Sequence, residues 1–231
     1  MSDEELINSI ERLLNLGSTS TNEQMSNHAY DYIKSQKKHL PNKFLTHKSN
    51  NKKAIFMAGG SGAGKSETAL NISINEKVDV IDTDEIRKIC PMYSGVNSHL
   101  FQRASSKGVS ILIDYLYKNN LSFILDGNFA DYKIQKENIK RAVSREYAIE
   151  IIFVYRDKEV ARTYTKEREK IEGRIVPNKI FEERYTQSII NVNTILEEFT
   201  SIELKYIDLT SRVIYRGAEA KKAISLLRES I

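Results

Sequence analysis

Eight consecutive residues carry chemistry most plainly: Gly59-Gly60-Ser61-Gly62-Ala63-Gly64-Lys65-Ser66. Their spacing fits G-x-x-x-x-G-K-[ST], a loop whose backbone N–H groups converge on phosphate oxygens. Glycine lets that backbone approach without Cβ clashes, and the helix expected to follow adds partial positive charge at the same place. Lys65 is placed to reach the β- and γ-phosphates of a nucleotide, and Ser66 to set its hydroxyl on Mg²⁺. Such a loop needs a strand before it and a helix after it. Ala54-Ile55-Phe56-Met57-Ala58 reads as the buried strand, and Glu67 to Ile72 continues the helix.

Carboxylates recur at two further positions where strands are expected to end. Asp82-Thr83-Asp84 closes the run Val78 to Asp82. A carboxylate there faces the γ-phosphate and can take the proton of an acceptor hydroxyl. In an extended segment Asp82 and Asp84 share a face. If the chain turns instead, one of them caps the helix starting near Glu85. Asp126, after Phe123-Ile124-Leu125, stands where a carboxylate meets Mg²⁺ or its water shell, and it also suits the turn before Gly127-Asn128. Between Asp157 and Pro177, Lys158, Arg162, Lys166 and Lys170 recur every fourth residue and read as a solvated basic stripe. Arg168 lies off that stripe and Arg174 follows Gly173, so the two bracket a turn suited to a lid over transferring phosphate.

The elements that must position these residues alternate. Helices are expected over residues 3–15 (Leu6, Ile10, Leu13 and Leu14 on one side) and 22–38 (Met25, Ala29, Tyr32 and Ile33 inward). A polar, basic connector, Pro41 to Lys53, leads to the first strand. Four more strands are expected at 78–82, 121–126, 149–155 and 203–209. Helices are expected between them at 97–118, 132–147, 157–172 and 177–199, with a closing helix at 217–229. That alternation specifies an α/β fold: a parallel sheet sandwiched between helices, with its ligand along the strand C-termini. The expected organisation is a helical extension and connector over residues 1–50 and a phosphate-loop domain over 51–231.

Composition narrows the function classes. A net charge of +4 suits an anionic ligand, but there is no basic, aromatic-rich face of the kind that binds nucleic acid. No apolar run approaches membrane-spanning length, and the first residues are acidic where a secretory leader is basic, so a cytoplasmic location is expected. The lone Cys90 reads as a packed residue, and His28, His47 and His99 lack metal-ligand spacing. No N-K-x-D guanine motif follows Asn42-Lys43 or Asn178-Lys179, and no LSGGQ-type segment is present. A GTPase or a transporter ATPase is therefore not indicated.

The chain resembles the zeta toxin family of P-loop kinases over roughly residues 45–210. Ala58 to Ser66 resembles that family's nucleotide loop. Ile81-Asp82-Thr83-Asp84 resembles its IDxD segment, in which the second aspartate, here Asp84, serves as general base. Leu125-Asp126-Gly127-Asn128 resembles its acidic strand end. Lys166-Glu167-Arg168 and Gly173-Arg174-Ile175-Val176-Pro177 resemble its two arginine segments that clamp ATP phosphates. The resemblance implies transfer of the ATP γ-phosphate to a sugar nucleotide, typically the 3′-hydroxyl of UDP-N-acetylglucosamine. It also implies inhibition by a helical antitoxin. An attached helical segment such as residues 1–50 could fill that role within the chain, or could simply pack on the flank of the sheet. One departure stands out. The family carries a glutamate on the helix after the second strand, whereas here Ser106-Lys107-Gly108-Val109-Ser110 has no carboxylate before Asp114. A kinase of another small hydroxyl, such as a nucleoside, dinucleotide or antibiotic, is the second reading. A nucleotide-binding regulator without turnover is the third.

Overall fold

The computed structural model describes residues 19–173 and 175–231. The helix expected over residues 3–15 lies outside them. Within them, six strands form one sheet: β1 (Lys53–Ala58), β2 (Asp79–Asp82), β3 (Phe123–Asp126), β4 (Ala148–Tyr155), β5 (Glu203–Asp208) and β6 (Val213–Arg216). The strand order is β2-β3-β1-β4-β5-β6. Strands β1 to β5 run parallel, and β6 pairs antiparallel with β5. All five parallel strands therefore end along one edge, with β1 in the middle.

Strand β1 is buried from Ala54 to Ala58 because helices cover both faces of the sheet, which is why it reads as an unbroken apolar run. The two-residue period still sorts its side chains. Ala54, Phe56 and Ala58 join the larger core, while Ile55 and Met57 join a smaller one with Ile124, Ile152 and Val154. Helix α3 (Lys65–Glu76) closes the smaller core through Ala69. The larger face is covered by α5 (Gln102–Lys118), α6 (Tyr132–Val143), α8 (Asn178–Glu198) and α9 (Gly217–Glu229).

Residues 19–50 belong to that larger core. Helix α1 (Thr19–Ser35) buries Ala29 and Ile33 completely and packs on α5. The helix expected over residues 22–38 thus starts earlier and closes with a 3-10 turn, Gln36–Lys38. The connector is more ordered than its polar composition suggests. A short helix, α2 (Leu40–Phe44), buries Leu40 and Pro41. Beyond it, the Thr46 and His47 backbone N–H groups donate to the buried Asp79 carboxylate at 2.9 and 3.0 Å. The connector is therefore tied to the first residue of β2.

Of the two courses open after β2, the chain takes the turn: a six-residue helix, α4 (Thr83–Lys88), begins directly after Asp82, two residues before the expected Glu85. Strand β6 forms where only a link to the closing helix was expected. It is a four-residue edge strand with hardly any buried side chain, so it leaves no alternating apolar pattern to read.

Candidate active site

The loop Gly59 to Ser66 joins β1 to α3 at the C-terminal edge of the sheet. It is held by close packing on three sides. Gly59 has φ 130°, and a Cβ there would lie 2.3 Å from the Val154 carbonyl oxygen. Its N–H donates to Ser188 Oγ on α8 at 2.8 Å. Gly62 has φ 71°, and a Cβ there would lie 2.1 Å from the Ala161 carbonyl oxygen of α7 (Lys158–Glu172). Only glycine tolerates both the left-handed backbone and the contact. Gly60 faces the ring of Tyr185, Ala63 is buried, and Gly64 opens α3 in the left-handed conformation. Ser61 lies at the turn, partly exposed.

Lys65 Nζ donates to the Gly60 carbonyl at 2.6 Å, so the ammonium curls under the loop. Burial lowers its pKa, the Asp126 charge opposes that, and the Arg168 charge lowers it further. Ser66 Oγ donates to Asp126 Oδ2 at 2.7 Å. Ser66 and Asp126 are thus in direct contact, because β3 lies beside β1 and delivers its last residue to the first turn of α3. Asp126 is 7% exposed, and burial raises its pKa against the pull of Lys65 and the Ser66 hydroxyl.

Asp82 and Asp84 do not share an extended face. Asp82 caps α4, its Oδ1 accepting the Asp84 N–H at 2.7 Å. Register pairs Asp82 with Asp126 on the neighbouring strand. Burial, and then the Asp126 charge, push Asp82 up to about 6. Asp84 sits in the first turn of α4, where its charge is felt by both Lys65 and Asp126.

Arg168 lies on α7, exposed, and lines a groove of about 580 Å³ beside Gly62 and Gly64. Arg174 lies outside the described residues. Several groove residues were not singled out from the sequence. Arg156 directly follows β4, and its guanidinium lies 4.5 Å over the Tyr164 ring. Its position after a parallel strand was the available signal. Lys205, Ile214 and Arg216 complete the far wall through β5 and β6. Arg162 corrects the solvated-stripe reading: it turns inward, 4.7 Å over Phe181 of α8, with Nη1 buried. A missed side chain of another kind is Arg87, buried on α4 and bonded to Asp84 Oδ1 at 2.5 Å.

A phosphate loop after the central strand, flanked by acidic strand ends and an arginine-bearing helix, defines a P-loop kinase, a phosphotransferase fold. The zeta toxin family model matches residues 37–220, and the chain belongs to that family. Among solved structures it is similar to the PezAT chromosomal toxin–antitoxin system of Streptococcus pneumoniae, at 16% identity and TM-score 0.70, over 86% of this chain and 88% of that one. It is also similar to AvrRxo1-ORF1 in complex with AvrRxo1-ORF2 and ATP, at 12% identity and TM-score 0.58, over 91% and 70%. A putative kinase from Chloroflexus aurantiacus aligns at 12% identity and TM-score 0.54, over 78% and 96%. No curated protein sequence matches this chain closely enough to be counted a relative.

Proposed function

We propose that the protein transfers the γ-phosphate of ATP to a hydroxyl of a sugar nucleotide, with UDP-N-acetylglucosamine the acceptor to test first. The observation that carries this reading is the Ser66–Asp126 hydrogen bond of 2.7 Å directly beside the Lys65 ammonium. It joins phosphate loop and acidic strand end into one unit. The loop from Gly59 to Gly64 would hold the phosphates, and the base would lie along the groove of Arg156, Tyr164 and Leu209. Ser66 and Asp126 fit Mg²⁺, which takes one or two protein oxygens and completes its shell with phosphate and water. When bound, Mg²⁺ supplies charge to offset the phosphates.

Asp84 is the general base in this reading. Asp82 is committed to capping α4 and is held near 6, whereas Asp84 stands on the helix it caps. The acceptor oxygen bonds to Pγ as the bond from Pγ to the bridging oxygen breaks. ADP leaves with that electron pair, and the acceptor proton passes to Asp84. Arg168, together with Arg174, offsets charge on the transferring phosphoryl and keeps water out.

The family and the toxin–antitoxin neighbour support an antitoxin as partner, and we place it in trans. None of residues 19–50 lines the groove of Arg156 and Arg168, and these residues pack on α5 instead. No described helix is long and apolar enough to cross a membrane. We place the protein in the cytoplasm, where its nucleotide substrates are found.

A second acceptor class stays in the test because the stretch Ser106 to Ser110 carries no carboxylate where the family has a glutamate. Nucleosides therefore belong in the same screen. ATP consumption against a panel of sugar nucleotides, nucleosides and aminoglycosides, with mass spectrometry of products, tests the reading. A phosphorylated UDP-N-acetylglucosamine is the expected product. ATP turnover with none of the panel phosphorylated would sink the small-molecule assignment.

A further inference from the structure

We infer that Arg87 is a positioning residue for the base, its guanidinium holding the Asp84 carboxylate in place at the head of α4. This rests on the reading of Asp84 as base. Arginine is almost never fully buried unless paired. The Arg87 side chain is 4% exposed while its partner Asp84 is 34% exposed. A buried cation thus tethers a carboxylate that reaches solvent.

The tether has two anchors. Arg87 Nη1 donates to Asp84 Oδ1 at 2.5 Å, and Nη2 donates to Gln102 Oε1, the first residue of α5, at 2.8 Å. Nε is buried without a hydrogen-bond partner among the described residues. The guanidinium is therefore not placed to satisfy every donor; it is placed to span Gln102 and Asp84. The helix it rides is itself pinned, because Ile86 is fully buried and a Cβ on Gly108 of α5 would lie 2.5 Å from its Cγ2. Position therefore passes from α5 through Arg87 to Asp84.

A neighbouring pair on the same helix shows what an ordinary surface contact looks like. Lys88 and Glu85 also approach to 2.5 Å at i,i+3, but their side chains are 55% and 53% exposed. Such pairs carry little energy or geometry. Arg87 differs in burial, in its second anchor and in the carboxylate it holds.

The test is a double-mutant cycle with Arg87→Gln, Arg87→Lys, Asp84→Asn and Arg87→Gln/Asp84→Asn. ADP release is followed from Mg·ATP with UDP-N-acetylglucosamine, or with water as acceptor if that sugar nucleotide is not phosphorylated. Arg87→Gln should lower kcat by about 10- to 100-fold, the scale of an ångström-level misplacement, while KM for ATP moves less than about threefold. Arg87→Lys should fall between, since one ammonium cannot span Asp84 and Gln102 together. In the Asp84→Asn background Arg87→Gln should cost nothing further, because the group it positions is gone. A folded Arg87→Gln protein with wild-type kcat overturns the inference, as does an equal loss in both backgrounds, which marks a purely structural role. If Arg87→Gln does not fold, wild-type kcat in Arg87→Lys overturns it. Should Asp84→Asn itself turn over normally, the assignment of the base fails first, and with it the premise.

Discussion

Replacing Lys65 by alanine should abolish phosphoryl transfer and leave the fold intact. Its ammonium contacts a loop carbonyl, not the apolar core. Circular dichroism with a turnover assay checks this, and near wild-type turnover would remove the loop from the reaction. The two aspartates after β2 should separate by role. Asp84→Asn should bind ATP and lose about 10²–10⁴ in rate, the range for a general base. Asp82→Asn should lose less, because asparagine still accepts the Asp84 N–H as a cap. A reversed order of severity would move the base to Asp82. Stability should separate them as well. The folded pKa of Asp82, about 6, lies above the ordinary 3.8, so the folded state keeps a proton that the unfolded chain releases between those values. This contribution is complete below 3.8 and is lost as pH rises through 6. In metal-free protein Asp82→Asn should therefore raise Tm at pH 7.5 and change it little at pH 4; melting curves with chelator present decide. The loop, Asp126 and the Asp82/Asp84 alternative were all legible in the sequence, because motif spacing and strand ends encode them. What distinguishes the two aspartates was not, since it depends on where the chain turns. The role of Arg87 was not legible either, because its burial and its second anchor, Gln102, 15 residues away, come only from packing of α4 on α5.

Helix α7 and the phosphate loop are one mechanical unit, joined where Gly62 meets Ala161 and Thr165. Gly62→Ala should push the loop off α7 and abolish nucleotide binding. A folded variant that binds ATP normally would show that the loop accommodates the shift. Arg168, farther along the same helix, should act later in the reaction. Arg168→Ala should lower kcat more than it weakens ATP binding, because a lid guanidinium works chiefly on transition-state charge. Titration calorimetry beside steady-state kinetics separates the two, and an unchanged kcat would take Arg168 out of the site. The same comparison applies to Arg174. At this scale the parallel strands and the longer helices were readable from period and length. Strand β6 was not, because an edge strand without a buried face has no period to show. Arg162 was misread as part of a solvated stripe because fourth-residue spacing cannot tell solvent from the flank of α8.

Residues 1–50 were the least determined part of the molecule from sequence, since two amphipathic helices can either cover a site or complete a core. The place of residues 19–50 in the fold favours the core. Ala29, Ile33 and Leu40 are buried in the same cluster as Phe56 and Phe123 of the sheet. Thr46 and His47 supply the backbone donors for the buried Asp79 at the start of β2. Helix α1 lies on α5, the helix whose Gly108 and Gln102 fix α4, so it also backs the element that carries Asp84. Deleting residues 1–46 should then destabilise the protein by several kcal/mol, at about 1.5–3 kcal/mol for each large side chain such as Ile33 and Leu40. The Asp79 carboxylate would also lose its Thr46 donors, adding to the cost. Activity should fall with stability, not rise, because nothing in residues 19–46 lines the grooves beside the phosphate loop or α8. Thermal melts and turnover of the truncated protein measure both. A truncated protein that keeps its Tm and turns over faster than the full chain would restore an inhibitory role for this segment. One that melts earlier and is no more active leaves inhibition to a separate partner.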